Sequence, residues 1–292
     1  MHDMKFAGTG TAIVTPFCKD GVDEEALRRL VRFQEDNGVD FLVPCGSTGE
    51  SAMMSYEEHV RVIKIVVDEA KRAKILAGAG SNNTSEAVYL SKEAQDMGAD
   101  GVLSISPYYV KPTQEGIYRH YAAIESAVDI PVIVYNIPGR TGSNVGVDTL
   151  MRLAELDGIA GVKEASGNMG QIQQILARRP EGFSVLSGDD ALTLSLMCQG
   201  ADGVISVASN CCPGLVSDMV RSAASGDVEL ARSIQSKLLP LFGALFCETN
   251  PIPIKYIMGR MGYGDGMPRL PLTPLSDSGR KIVDPILESL GI

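Results

Sequence analysis

A (β/α)8 barrel carrying a small C-terminal helical appendage is the fold this sequence predicts. Three observations predict it: eight short apolar runs, helical segments alternating with them, and a tail of helices alone after the eighth run. The runs are Thr11-Ala12-Ile13-Val14, Phe41-Leu42-Val43, Ile75-Leu76-Ala77, Val102-Leu103-Ser104-Ile105, Val132-Ile133-Val134-Tyr135, Ile159-Ala160-Gly161-Val162, Phe183-Ser184-Val185-Leu186 and Val204-Ile205-Ser206-Val207. They are near-continuously apolar rather than alternating, as parallel strands covered on both faces require.

Between them the segments have helical period and recognisable ends. Ser55-Tyr56-Glu57-Glu58 fits a capping box and starts a helix expected to reach Lys71-Arg72, where basic residues suit the C-terminal dipole. Gly38 and Gly98 each follow an amphipathic stretch, as a glycine just past a helix end does. An open doubly wound sheet is the structural rival, but the first βα turn lacks a G-x-G-x-x-G fingerprint. The tail reads as helices at roughly 213–224, 228–246, 253–261 and 276–290, more than one closing helix needs. The division expected is a catalytic barrel over 1–225 and a helical region over 226–292.

Composition narrows the class of function. With 292 residues, 45% of them hydrophobic, the chain can bury a large core without disulfide or metal staples. A net charge of −10 with no basic run argues against nucleic acid, whose binding rests on phosphate neutralisation. The stretch from Leu238 to Phe246 is too short to span a bilayer, and Met1 to Phe6 leave no room for the apolar core of a signal peptide, so the expected location is cytoplasmic. Six cysteines without a C-x-x-C pair are expected to be reduced, buried thiols, and the three widely separated histidines form no zinc motif.

In barrels of this kind chemistry sits at the C-terminal ends of the strands. The second strand is followed by Gly46-Ser47-Thr48-Gly49-Glu50-Ser51, whose hydroxyls and backbone N–H groups can hold a carboxylate, although an ordinary turn has the same composition. The fourth strand leads to Tyr108-Tyr109 and the fifth to Tyr135 and Arg140; phenols can relay protons and a guanidinium can clamp a carboxylate, while packing or a solvated loop charge would explain the same residues. The sixth strand ends in Lys163-Glu164. Partial burial there would supply the neutral amine that attacks a carbonyl, and the competing reading is a surface ion pair between the two. Taken together these groups describe imine chemistry on a 2-oxo acid followed by capture of a second, acidic partner.

At these residues the chain resembles the dihydrodipicolinate synthase family, within the pyruvate-dependent aldolases that also include N-acetylneuraminate lyase. The resemblance runs through Gly8 to Phe17, Gly46 to Ser51, Tyr135 to Gly142, Gly161 to Asn168, Ser187-Gly188-Asp189-Asp190 and Leu270 to Pro274. It implies that Lys163 forms a Schiff base with pyruvate and that Tyr135 shuttles protons, linked through Ser47 to a Tyr109 supplied by a neighbouring subunit. It further implies that Thr48 holds the pyruvate carboxylate, that Ile205 and Gly188 belong to the substrate pocket, and that Arg140 receives the carboxylate of L-aspartate 4-semialdehyde. The implied product is 4-hydroxy-tetrahydrodipicolinate, on the route to diaminopimelate and lysine. No organic cofactor is implied, and the assembly implied is a homotetramer built as a dimer of dimers.

Many synthases carry Thr-Thr where this chain has Ser47-Thr48, a pairing common among the sialic acid lyases; a lyase or another keto-acid aldolase is therefore the alternative, against which Arg140 weighs. Members inhibited by lysine use positions matching Ser51, Ala52, Tyr56, His59, Asn82, Glu86 and Tyr108 here, with Tyr56 standing where a histidine is frequent. Two readings from other classes complete the set: a Mg²⁺ aldolase built on Glu50, Glu164, Asp189 or Asp190, and a barrel that binds ligands without catalysis.

Overall fold

A computed structural model describes residues 5–19 and 21–292. Eight parallel strands close into a barrel: β1 Gly8–Thr11, β4 Phe41–Leu42, β5 Lys74–Gly78, β6 Gly101–Ile105, β7 Val132–Asn136, β8 Ile159–Glu164, β9 Ser184–Ser187 and β10 Gly203–Ser206, with β10 paired back onto β1. Two further two-residue strands, β2 Phe17–Cys18 and β3 Gly21–Val22, form a separate hairpin after β1.

The first strand lies three residues earlier than its apolar run. Its Gly-Thr-Gly-Thr sequence is dictated by neighbours: a Cβ on Gly10 would stand 2.1 Å from the ring of Phe41, which fills the barrel interior. Thr11, facing the other way, donates its hydroxyl to Gln34 at 2.7 Å, and Gln34 in turn donates to the Asn210 carbonyl at 3.0 Å. A strand that leaves its interior space to a neighbour's ring and bonds outward through threonine has no apolar pattern to detect.

Alternation along the other strands separates two cores. Phe41, Val43, Leu76, Leu103, Ile133, Tyr135, Leu186 and Ile205 pack inside the barrel, whereas Val102, Val132, Val134, Val162 and Val185 face the surrounding helices. The capping box forms as expected at Ser55 and Glu58, an arrangement worth about 0.5–2 kcal/mol. Its helix stops at Glu69, short of Lys71-Arg72, because the Glu35 carboxylate accepts from the backbone N–H groups of Lys71, Arg72 and Ala73 at 2.7–2.9 Å and draws the chain out of the helix. The thiols also divide: Cys45, Cys211 and Cys212 are buried, but Cys18 and Cys198 are exposed, so the expectation of general burial fails for those two.

After β10 the helices Pro213–Ala224, Val228–Ala244, Ile252–Arg260 and Asp277–Leu290 follow. Pro213–Ala224 and Val228–Ala244 pack on one another, and Val228–Ala244 also packs on Asp277–Leu290. Among the described residues no helix is long and apolar enough to cross a membrane.

One irregularity decides the site. In the pairing of β7 with β8 the register slips: Val132 lies opposite Ile159, but Ile133 lies opposite Gly161, leaving Ala160 as an extra residue. Such a bulge re-aims everything after it. Here it places Lys163 opposite Tyr135; an unbroken ladder would have put Val162 there and turned the lysine toward Asn136. Glycine is needed beside the bulge, since a Cβ on Gly161 would come within 2.4 Å of the Ser184 carbonyl oxygen.

Candidate active site

Lys163 points into the barrel mouth and is only 6% exposed, with its ammonium nitrogen 4.2 Å from the centre of the Tyr135 ring. Burial depresses its pKa from 10.5 to about 7; the negative charge of Asp190 opposes the shift and the positive charge of Arg140 adds to it. An amine in this state is substantially neutral at physiological pH, as attack on a carbonyl requires. The surface pairing of Lys163 with Glu164 is overturned. Glu164 points to the other side of the strand, where its carboxylate accepts from the Ser166 N–H at 2.7 Å, from Asn136 at 3.1 Å and from Gln171 at 3.3 Å, and both residues are buried.

Tyr135 is equally enclosed. Burial raises its phenol pKa to about 12, against the opposing influence of Arg140 and of a hydrogen bond with Ser47, so the group is a protonated phenol held next to the amine. Ser47 and Thr48 lie in the turn after β4. That turn is bracketed by two non-glycine residues in left-handed backbone, Cys45 at φ 56° and Glu50 at φ 59°, and is fastened by a 2.7 Å bond from the Thr15 hydroxyl to the Gly49 carbonyl. Thr48 is 2% exposed, and its hydroxyl oxygen accepts from the Asn250 side-chain amide at 3.0 Å. Because that oxygen is acting as an acceptor, the hydroxyl hydrogen is left to donate to a bound anion.

Arg140 lies on the short helix Pro138–Thr141 and donates to the Asn250 carbonyl at 2.9 Å. Asn250 therefore bridges the two groups read from the sequence as carboxylate binders. Lys163, Tyr135, Ser47, Thr48, Arg140 and Gly188 line one cavity of about 40 Å³, together with Asn250 and Phe246. Gly188 is the floor beside the lysine: a Cβ there would stand 3.1 Å from Lys163 Cε and 2.7 Å from Ala165 Cβ. Ile205 is buried one layer below, in the inner core with Tyr135 and Leu186, and Val207 takes the lining position two residues on.

Tyr109 does not join this group within the chain. It is 86% exposed, in left-handed backbone at φ 72°, flanked by the exposed Tyr108 and Val110. A larger cavity of about 650 Å³ adjoins the first, sharing Ser47, Tyr135, Arg140 and Asn250, and takes in Ser51, Ala52, Tyr56, His59, Glu86 and Tyr108. Asn82 stays at its edge, donating to the Tyr108 carbonyl at 3.2 Å. Glu86 accepts from the Ser81 hydroxyl at 2.7 Å, and its bond with the Tyr56 phenol holds the carboxyl below its ordinary pKa.

The carboxylates considered for Mg²⁺ are each committed elsewhere. Asp190 accepts from Ser206 and from the N–H groups of Val207 and Ala208, Asp189 accepts from the Ala191 N–H, and Glu50 is paired with Lys255 at 3.0 Å. Among the described residues no three of His, Cys, Asp and Glu group as metal ligands.

Sequence reasoning missed Asn250 and Phe246. Both come from the C-terminal tail, where no strand end marks a position as facing the mouth; the Asn250-Pro251 break between two helical segments is the one local signal.

Comparison with known proteins shows the family. The profile of the dihydrodipicolinate synthetase family matches residues 5–290. The chain is 52% identical to the 4-hydroxy-tetrahydrodipicolinate synthase of Chloroherpeton thalassium, over 100% of this chain and 98% of the relative. Among solved structures it is similar to dihydrodipicolinate synthase from Aquifex aeolicus, at 46% identity, 98% coverage of both chains and a TM-score of 0.96. It also matches the Acinetobacter baumannii enzyme complexed with pyruvate, at 44% identity, a TM-score of 0.96 and coverage of 99% and 100% of the two chains. The Cyanidioschyzon merolae enzyme with lysine bound aligns at 38% identity and a TM-score of 0.95, over 100% of this chain and 99% of that one. A profile match spanning almost the whole length, joined to relatives near half identity, establishes that the chain belongs to the dihydrodipicolinate synthetase family.

Proposed function

We propose that the chain condenses pyruvate with L-aspartate 4-semialdehyde through a Schiff base on Lys163, releasing 4-hydroxy-tetrahydrodipicolinate and one water. The observation that carries this reading is the buried, largely neutral Lys163 amine set in register with the Tyr135 phenol.

Lys163 Nζ attacks C2 of pyruvate, whose carboxylate is received by the Thr48 hydroxyl. Tyr135 delivers the proton with which the carbinolamine oxygen leaves as water, giving the imine. The Tyr135 phenolate left by that transfer takes a methyl proton, converting the imine to an enamine, whose carbon attacks the aldehyde of the semialdehyde, held through its carboxylate by Arg140; the alkoxide so formed takes the proton back from Tyr135. The amino group of that second substrate then adds at C2 and displaces the Lys163 amine, closing the ring and regenerating the enzyme. Pyruvate supplies the electrophile and the protein the amine, so no organic cofactor enters these steps.

Tyr109 belongs to the relay as a residue lent by a second copy, for which its exposed position on an apolar outcrop is suited. The assembly proposed is a tetramer made from two such dimers. The compartment proposed is the cytoplasm, where six unpaired cysteines stay reduced. The larger cavity is proposed as a lysine site, because Glu86 presents an ionised carboxylate to a ligand ammonium. Calorimetric titration with lysine up to the millimolar range tests that part, and a flat isotherm removes it.

Specificity is tested by pairing pyruvate with either L-aspartate 4-semialdehyde or N-acetylmannosamine. Turnover confined to the first supports the reading; a faster rate with the amino sugar would instead identify a sialic acid lyase.

A further inference from the structure

Among the described residues, Glu50 and Lys255 form a buried ion pair away from the catalytic groups. Glu50 closes the Ser47-Thr48 turn and is 1% exposed, with its backbone in the left-handed region at φ 59°. Its carboxylate is gripped wholly from the C-terminal helical region: Oε1 lies 3.0 Å from Lys255 Nζ, and Oε2 accepts the Arg269 N–H at 2.8 Å. Lys255, 2% exposed on the helix Ile252–Arg260, also donates to the Thr15 carbonyl at 2.6 Å and sits 4.0 Å over the Phe17 ring. The Arg269 guanidinium lies 4.0 Å from the same ring, pairs with both oxygens of Glu58 at 2.6 and 2.7 Å and donates to the Met53 carbonyl at 3.1 Å.

These contacts join three distant stretches of chain around the turn: the segment after β1, the turn itself and the appendage. Three successive residues of the turn, Thr48, Gly49 and Glu50, are held this way. Thr15 bonds Gly49 on one side, Lys255 and Arg269 hold Glu50 on the next residue, and Asn250 from the same appendage bonds Thr48 directly. Burying both charges is costly unless they are paired, and the 3.0 Å contact supplies that pairing. Lys255 lines neither cavity, and Glu50 lines only the larger one.

We propose that Lys255 and Glu50 are positioning residues for pyruvate: the appendage uses this ion pair to hold the turn so that the Thr48 hydroxyl and the neighbouring N–H groups meet the pyruvate carboxylate. The proposal rests on the reading that Thr48 binds pyruvate and Lys163 forms the imine. It assigns the pair to binding rather than to chemistry, because the lysine nucleophile is set by the β7–β8 register, which the pair does not touch.

The test compares wild type with the Glu50→Gln, Lys255→Met and double variants by borohydride trapping at varied pyruvate. The double variant leaves no unpaired buried charge and decides the outcome. Its half-saturating pyruvate concentration is expected to rise on the order of tenfold, with the trapping rate at saturation within about threefold of wild type. The two single changes should be strongly non-additive in the double variant, since they disrupt the same contact.

Unchanged half-saturation in a double variant with native far-ultraviolet circular dichroism overturns the proposal, and so does an equal fall in rate at every pyruvate concentration. Should that variant not reach the native fold, Glu50→Asp decides in its place: it keeps the charge, suits the left-handed backbone and withdraws the carboxylate from its 3.0 Å contact with Lys255, and an unchanged half-saturation there is equally fatal. Wild-type protein that fails to trap pyruvate would strike the underlying reading instead, which keeps the two failures apart.

Discussion

Replacing Gly188 by alanine is a small change whose consequence can be worked from the coordinates. Gly188 is not among the residues at positive φ, so alanine can adopt its backbone and the effect is steric alone. The new Cβ would meet Ala165 Cβ at 2.7 Å, Lys163 Cε at 3.1 Å and the Glu164 carbonyl oxygen at 3.3 Å. Carbon atoms rest at about 3.5–4.0 Å, so the shortfall is about 1 Å against Ala165 and about half of that against the lysine. Retreat of the backbone is opposed by the 2.8 Å bond from the Gly188 N–H to the Glu164 carbonyl, which ties the loop to the end of β8. The lysine side chain is the freer partner and must move by roughly 0.5 Å or more. Misplacement on this scale costs on the order of 100-fold in a reaction that depends on attack geometry, and overpacking costs about 1–3 kcal/mol of stability. Stopped-flow trapping of the pyruvate imine gives the rate, and urea unfolding gives the stability. A Gly188→Ala enzyme that is folded and forms imine at the wild-type rate would refute the placement of Lys163 against this floor.

Lys163→Met should abolish imine formation yet stabilise the fold. A pKa lowered from 10.5 to about 7 means that the folded state binds fewer protons than the unfolded chain between those values, so stability rises with pH across that window and the penalty is complete below pH 7. At about 1.4 kcal/mol per unit the penalty is on the order of 5 kcal/mol, and urea unfolding at pH 7 should show the variant more stable by about 2–5 kcal/mol, with the gap narrowing by pH 9.5. A variant less stable than wild type at pH 7 would contradict the burial argument. The same titration sets the kinetics: the second-order rate of imine formation should climb about tenfold per pH unit below about pH 7 and level off above it, whereas a rise continuing to pH 10 would mean an ordinary exposed amine. Arg140→Ala should raise the KM for the semialdehyde by roughly 10- to 100-fold while leaving half-saturation by pyruvate within a few fold, and equal effects on both substrates would reassign the guanidinium.

The barrel was legible because its strands, other than the first, repeat one physical demand, burial on two faces, and repeat it at regular spacing. The first strand hid itself for the opposite reason: Gly10 surrenders its volume to Phe41, and Thr9 and Thr11 carry no apolar signal. Lys163 could be picked out as a cation at the end of an apolar strand, but whether it faced the mouth or the helices could not be read, since that depends on the Ala160 bulge. A bulge is a property of two strands together, and Gly161 alone in sequence could equally have marked a turn. The turn Ser47-Thr48 was visible through its hydroxyls; the anchors that hold it, Asn250, Lys255 and Arg269, arrive from more than 200 residues away, and of the three only Asn250 has a local signal, the break before Pro251. Tyr109 is a different case. It lies exposed within one chain in a loop at φ 72°, and the part in the relay proposed for it would require a second copy.

Lys163 is the residue proposed to become covalently bound to pyruvate. Incubation with pyruvate and borohydride, followed by proteolysis and peptide mass mapping, tests it most directly. The adduct is expected on the peptide containing Val162-Lys163-Glu164 and nowhere else. An adduct on Lys111 or on Lys255, or none at all, would contradict the claim.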